Sequence, residues 1–205
     1  MKNSKFRSPQ SPLSPSSGSR AGYEYLLAYK ITIPIYDYTV EFCRRCKSPN
    51  YPHFPDLPSY RSHDQMVQAA RSGTQNIAEG YKQQGLKGYI KLSGINRGSL
   101  EELLKDFLAY ARQNKIPVWP KEKARKIREI GEIWAILRKH QALPDSPNFP
   151  NLPNDREAAV NLMITLINQA NYLIDKLIPA LKHKHKTQGG FTEKLYRERK
   201  NHRGY

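Results

Sequence analysis

Two cysteines three apart, Cys43 and Cys46, are the first residues whose type and spacing suggest chemistry. A C-x-x-C pair serves redox exchange within a βαβ unit, or binds zinc when two further ligands lie at finger spacing. No βαβ pattern surrounds Cys43-Arg44-Arg45-Cys46, and the pair falls at the end of an expected helix. His53 and His63 follow, but C-x2-C-x6-H-x9-H is no standard finger spacing. Packing near a helix end is the preferred reading over zinc. His183-Lys184-His185-Lys186 reads as a basic tail in preference to a metal site. Glu79, Glu101, Glu102 and Asp106 lie inside expected helices, yet no E-x-x-H pair of a di-iron bundle accompanies them. No G-x-S-x-G elbow frames a nucleophile, and no P-loop or G-x-G-x-x-G frames a phosphate. The expectation is a non-enzyme with no catalytic residues, no metal and no cofactor.

Charge is the stronger signal. The 205 residues hold 34 Lys+Arg against 18 Asp+Glu, a formal net charge of +16. A surplus of that size points to an anionic partner, most often RNA or DNA. It is concentrated at the ends: residues 1–30 carry +4, residues 31–181 carry +6, and residues 182–205 carry +6. Basic tails on a compact domain bind phosphate backbones without sequence preference. Solubilisation is the competing reading. Hydrophobic residues make up 38% of the chain, below the usual share of about 45–50%, so part of it is expected to stay unpacked. Two cysteines exclude a disulfide scaffold. No apolar run approaches the roughly 18–20 residues of a membrane span, and the N-terminus lacks the apolar region of a secretory signal. A cytoplasmic location without membrane contact is expected.

The elements that must position these charges are helical. Residues 1–22 are rich in Ser and Pro and are expected to be a disordered tail. Helix signals begin near Tyr23, with Leu26, Leu27, Ile31, Ile35, Tyr38, Thr39 and Phe42 mostly three or four apart. Pro34 interrupts them, so the regular helix is expected from Ile33 to Cys46. A Pro-rich loop, 47–59, follows. A second helix is expected over Tyr60–Tyr81, with a small-residue stripe at Ala70, Gly73 and Gly80 that lets a neighbour approach. A third is expected over Lys87–Asn114. Its predicted buried stripe is Leu92, Ile95, Ser99, Leu103, Phe107 and Tyr110, widened by Leu100, Leu104 and Leu108, with Gly94 and Gly98 four apart suggesting tight contact. A fourth helical segment is expected over 121–141, apolar at Ala124, Ile127, Gly131, Trp134 and Leu137. A second Pro-rich loop, 142–153, precedes a helix capped by Asn154 with Glu157 at N3, which Pro179 should kink or end near Leu181. β-branched alternation never persists. The predicted fold is all-α: an up-and-down four-helix bundle over 23–181, with an inserted helix at 121–141, a basic suffix at 182–205 and partly disordered tails.

Several strings resemble a known family. His63-Asp64-Gln65-Met66-Val67-Gln68-Ala69-Ala70-Arg71-Ser72-Gly73, continuing to Asn76-Ile77-Ala78-Glu79-Gly80, is similar to the signature of a bacterial four-helix-bundle family. That family includes the protein encoded in large-subunit ribosomal RNA intervening sequences and the accessory variability determinant of diversity-generating retroelements. Gly98-Ser99-Leu100-Glu101-Glu102-Leu103 resembles its third helix. Asn168 to Asp175, followed by Gly189-Gly190-Phe191-Thr192-Glu193, resembles the subgroup with a suffix after the bundle. The resemblance spans about residues 33–200, the loop at 47–59 reads as an insertion, and the N-terminal tail lies outside it. It implies a ring-like homopentamer that associates with a reverse transcriptase and its template RNA during mutagenic cDNA synthesis.

The candidate nucleic-acid-binding residues leave the apolar stripes. They are Arg71, Lys82, Lys87, Lys91, Arg97 and Arg112 on the helices, Lys121, Lys123, Arg125, Lys126 and Arg128 on the basic segment, and Lys182, Lys184 and Lys186 in the suffix. The basic segment reads either as a phosphate-contacting helix or as a solvated face, and net charge favours the first. Tyr172, Tyr196 and Tyr205 are candidates to stack on bases. Asn76 and Glu79 are read as structural. The expected function is a nucleic-acid-binding accessory of a reverse transcriptase. The alternatives are the ribosomal RNA intervening-sequence branch, a protein–protein assembly module with solubilising tails, and a metal or thiol enzyme using Cys43 and Cys46.

Overall fold

The computed structural model of the chain describes residues 20–83 and 85–204, with Lys194 described by its backbone alone. The segment expected to be disordered, 1–22, lies outside the described residues apart from Arg20, Ala21 and Gly22, and so does Tyr205. The described residues contain helices and no strand, so the fold is all-α. A 3-10 turn at Gly22–Tyr25 leads into α1, Leu27–Lys30, and α2, Thr32–Arg45. Pro34 has no N–H to offer the Lys30 carbonyl, and the helical ladder is interrupted at Ile31. Once inside the first turn of α2, Pro34 costs nothing further, because first-turn N–H groups have no intrahelical partner.

Three longer helices follow: α3, Tyr60–Lys82; α4, Leu86–Gln113; and α7, Arg156–Gln188. Helix α3 packs along α4, α4 along α7, and α2 against both α3 and α7. Ser59 caps α3, its hydroxyl accepting from the Ser62 N–H at 3.1 Å. The small-residue stripe of α3 meets α4 closely. A Cβ on Gly73 would lie 2.7 Å from Leu100 Cδ2, and the Gly73 carbonyl accepts a hydrogen bond from Asn96 Nδ2.

Helix α4 keeps the expected face in its second half, at Leu100, Leu103, Leu104, Phe107 and Tyr110, and departs from it in its first half. Ile95 is 44% exposed, and Gly94 and Gly98 face open space, so they mediate no tight contact. The buried face is Tyr89, Ser93, Asn96, Leu100, Leu103, Phe107 and Tyr110. Ser93 and Asn96 occupy core positions because each has a partner: Ser93 Oγ donates to the Tyr89 carbonyl at 2.8 Å, and Asn96 reaches Gly73.

The segment expected as one helix over 121–141 is two: α5, Lys121–Ala124, and α6, Arg128–Lys139. Ala124, Ile127, Ile130 and Ile133 are all buried, while Gly131 is exposed. Residues three apart fall about 60° short of a full helical turn, so an unbroken helix would bring Ile133 round to the side opposite Ala124. Extended backbone at Ile127 (ψ 121°) resets the phase and lets both sides of the break bury.

Two expectations about α7 are corrected. Asp155, not Asn154, is the N-cap, its carboxylate accepting from the Ala158 N–H at 2.7 Å. Glu157 faces Trp119 instead of closing a capping box. Helix α7 also runs through Pro179 to Gln188. Pro179 and Asp175, whose carbonyl the proline leaves without a donor, are both exposed residues, and buried Leu181 holds the following turn on the core. The boundary expected at 181/182 therefore falls inside a helix. Gly189, at φ 74°, ends α7 in a conformation that a side chain resists. The described part of the suffix beyond it is helical as well: α8, Phe191–Arg203.

The Pro-rich loops are pinned by buried polar groups. Arg45, 5% exposed, donates to the carbonyls of Pro153 at 2.7 Å and Leu152 at 3.0 Å and pairs with Glu41 at 2.8 Å. Tyr38 donates to the Pro150 carbonyl at 2.6 Å. Tyr110 donates to Pro55 at 2.9 Å, while Phe54 packs on Phe42. These contacts hold 47–59 and 142–153 against α2.

Candidate nucleic-acid interface

The C-x-x-C pair sits at the end of α2 with both side chains buried. Burial pushes the Cys43 thiol up to about 12 and the Cys46 thiol up to about 11. Both are thiols at neutral pH, and the thiolate is the reactive and metal-binding form. Cys46 Sγ lies 3.6 Å from the Tyr110 hydroxyl. His53 is exposed, and His63 stacks on Tyr60 beside Asp64. Among the described residues no three His, Cys, Asp or Glu side chains are grouped to hold a metal ion. Glu101 is held below the ordinary carboxylate range by hydrogen bonds from Arg97 and then Lys105. Burial, and then Glu102, raises the Asp106 carboxyl.

The candidate cations divide into three settings. Arg71 and Lys82 on α3, and Lys87, Lys91 and Arg112 on α4, are exposed. None of them joins an ion pair among the described residues. Arg97 is different: it bridges α4 to α7, 2.9 Å from Glu101 and 3.0 Å from Asp175. Asn171, also on α7, donates to the same Glu101 at 3.5 Å. Lys182, Lys184 and Lys186 are exposed on the last turns of α7, where cations complement the carbonyl end of a helix.

The third setting is the segment over 121–128, which lies against α7. Lys121 and Arg125 line an open groove of about 1110 Å³ between this segment, α4 and α7. Arg138 of α6 joins them there. Lys126 is exposed. Lys123 turns back, with Nζ 3.9 Å from the Trp119 ring centre and 3.8 Å from Glu157. Arg128 pairs with Glu129 at 3.3 Å and Glu132 at 3.2 Å. The groove floor is apolar, with Leu104, Leu108, Ile164 and Leu173, and no carboxylate lines it.

Aromatic side chains form the walls. Trp119, Trp134 and the 62% exposed Tyr172 all line the groove. The Trp134 indole donates to Gln169 Oε1 at 2.8 Å, and the Trp119 indole donates to Glu157. Both rings are thereby oriented by polar anchors on α7. Of the candidates to stack on bases, Tyr172 lies at this site and Tyr196 lies apart on α8, 68% exposed. Sequence reasoning singled out neither tryptophan for chemistry, nor Arg138. A signal for them existed: each ring is followed four residues later by a cation. Trp119 pairs with Lys123, Trp134 with Arg138 at 5.4 Å, and Tyr172 with Lys176 at 5.4 Å. Residues four apart on a helix are neighbours, so for Trp134 on α6 and Tyr172 on α7 the pairing is a property of spacing, while Trp119 precedes α5.

Among the described residues no helix is long and apolar enough to cross a membrane. The chain matches no protein-family model, no curated protein and no solved structure.

Proposed function

We propose that this chain is a non-enzymatic nucleic-acid-binding accessory protein that holds template RNA or cDNA beside a reverse transcriptase. The observation that carries the binding reading is the groove rimmed by Lys121, Arg125 and Arg138, with aromatic walls and no lining carboxylate. The net charge of +16 and the exposed lysines at the end of α7 point the same way. The reverse transcriptase and the homopentamer come from the resemblance, and the up-and-down four-helix arrangement of α2, α3, α4 and α7 from the helical periodicity of the sequence. The closed cycle of contacts among those four helices supports the last of these. A cytoplasmic site of action accords with this reading.

The test is light scattering coupled to size exclusion, with and without a structured RNA, at low and high salt. A complex that forms at low salt and dissociates at high salt is expected, because phosphate contacts release counterions. Charge reversal across Lys121, Lys123, Arg125, Lys126 and Arg128 should weaken it while the helical circular dichroism is retained. A particle that ignores RNA at low salt removes the reading.

A protein–protein assembly module is the second reading. It is favoured by the outward face of α4, where Ile95 is 44% exposed between Gly94 and Gly98. Oligomers unaffected by RNA would support it.

A further inference from the structure

We infer that the groove between α4, the 121–139 segment and α7 selects single-stranded over duplex nucleic acid, taking unpaired bases against its aromatic walls while phosphates lie on its cationic rim. This rests on the nucleic-acid reading and adds to it a substrate class and a subsite.

The groove measures about 1110 Å³, at the upper edge of the roughly 300–1,000 Å³ usual for small-molecule pockets, and it is open to solvent, so it has room for a segment of an extended ligand. Its composition is that of a strand, not of a duplex. A duplex offers an outer surface of phosphates and hides the faces of its bases. A single strand offers both, and each base brings a π-face that stacks without regard to sequence. The floor at Leu104, Leu108 and Leu173 would gain nothing from a duplex backbone, and an unstacked base buries there favourably.

The placement of charge agrees. Trp119, Trp134 and Tyr172 each carry a cation four residues on, at Lys123, Arg138 and Lys176. Of these cations Arg138 lines the groove with its ring, and Lys121 and Arg125 supply the rest of the rim, so rings and cations share one groove as bases and phosphates share one strand. Lys123 already covers one face of Trp119 and lies near Glu157, so Trp119 acts as a braced wall. Tyr172, 62% exposed, is the most open of the three rings. Gln169 spends its oxygen on Trp134, and Asn168 spends an amide hydrogen on the Ile164 carbonyl at 2.8 Å. Their remaining amide groups give base edges something to bond with, without a sequence code. An acidic amphipathic peptide would also meet an apolar floor with a cationic rim, but it has no use for the repeated ring-and-cation pairing.

The chain contains two tryptophans, and both line this groove. Tryptophan fluorescence therefore reports on it directly. The experiment titrates the full chain with a 12-nucleotide RNA strand and with the duplex of the same sequence, reading tryptophan quenching and anisotropy of labelled RNA. The strand should quench and bind more tightly, and the duplex should bind without quenching. Tyr172→Ala should weaken strand binding about 5- to 150-fold and leave the duplex unchanged, since losing one stack removes about 1–3 kcal/mol. Tyr172 is exposed enough for its removal to spare the fold, which a thermal melt verifies. The double variant Lys121→Ala, Arg125→Ala should weaken both ligands. If that variant weakens both while Tyr172→Ala and the tryptophan signal respond to neither, the subsite is overturned and the nucleic-acid reading survives. If neither ligand binds at low salt, the nucleic-acid reading itself fails. Displacement of the strand by a Glu/Leu amphipathic peptide at lower concentration than by unlabelled RNA would assign the groove to a protein partner and overturn the inference.

Discussion

The ammonium of Lys30 donates to the carbonyl oxygen of Leu137 across 2.6 Å, tying α1 to the last turn of α6. It also reaches the His140 carbonyl at 2.9 Å, so one buried lysine satisfies two carbonyls where α6 ends. Burial lowers its pKa, which marks a desolvation cost, and the negative end of the helix dipole offsets it. Lys30→Met would keep the stem and remove the donors. The lost hydrogen bonds should outweigh the relieved desolvation, leaving a net destabilisation of about 1–3 kcal/mol in urea unfolding. An unchanged midpoint would show that the charge is not needed to seat α6.

Glycines on the two sides of the α3–α4 pair should respond in opposite directions. A Cβ on Gly73 meets Leu100 at 2.7 Å, so Gly73→Ala should cost about 1–3 kcal/mol through overpacking. Nothing lies within 4 Å of a Cβ on Gly94 or Gly98, and helical backbone suits alanine there. Gly94→Ala and Gly98→Ala should each stabilise the monomer by about 0.4–1 kcal/mol in denaturant unfolding. A loss of stability in either, accompanied by a change in oligomer mass, would reveal a partner on that outward face.

Stability should fall on the alkaline side. Cys43 and Cys46 are held up to about 12 and about 11 in the folded chain from an ordinary 9.0, and Tyr89 up to about 12 from 10.0, in each case mainly by burial. Each group keeps its proton longer in the folded state than in the unfolded one. Its contribution is complete below the unfolded value and is lost as pH rises toward the folded one. Melting temperatures should therefore be flat up to about pH 9 and decline above it. In Cys43→Ala, Cys46→Ala the onset should move toward pH 10, where tyrosines begin to titrate. An onset that stays near pH 9 would place the cause in other groups.

Salt dependence should separate phosphate-contacting cations from structural ones. Each phosphate contact contributes about 0.7–0.9 to the slope of log affinity against log salt. Lys121→Ala with Arg125→Ala should lower that slope by roughly 1.4–1.8 in RNA titrations. Arg97→Ala should leave it unchanged, because its charge is shared with Glu101 and Asp175. Its loss should instead cost about 0.2–1 kcal/mol of stability, the usual worth of partly exposed ion pairs. Equal effects on the slope from both variants would indicate a diffuse field with no rim contact.

Local patterns were enough to read most helices. The spacing over Tyr60–Tyr81 and Lys87–Asn114 matches α3 and α4 to within a residue at each end, because apolar period and flanking Gly or Pro are local. The small stripe at Ala70 and Gly73 likewise marked where α4 approaches. Two other groups of features depended on distant parts of the chain. The inner face of α4 contains Ser93 and Asn96 in its first half, while Ile95 lies outside, an arrangement that apolar period alone misassigns although it places Leu103, Phe107 and Tyr110 correctly. Asn96 enters the core because Gly73, on another helix, supplies an acceptor. The break at Ile127 and the passage of α7 through Pro179 follow from what each segment packs against. The groove has the same origin. Its cations and rings come from residues 118–138 and 164–173, and only folding brings them together. Sequence by itself determined the helices and the sign of the charge, since backbone periodicity and ionisation belong to each residue. Tertiary structure decided which faces are buried and which cations are shared with carboxylates, because a polar group's cost of burial depends on partners that sequence spacing does not reveal.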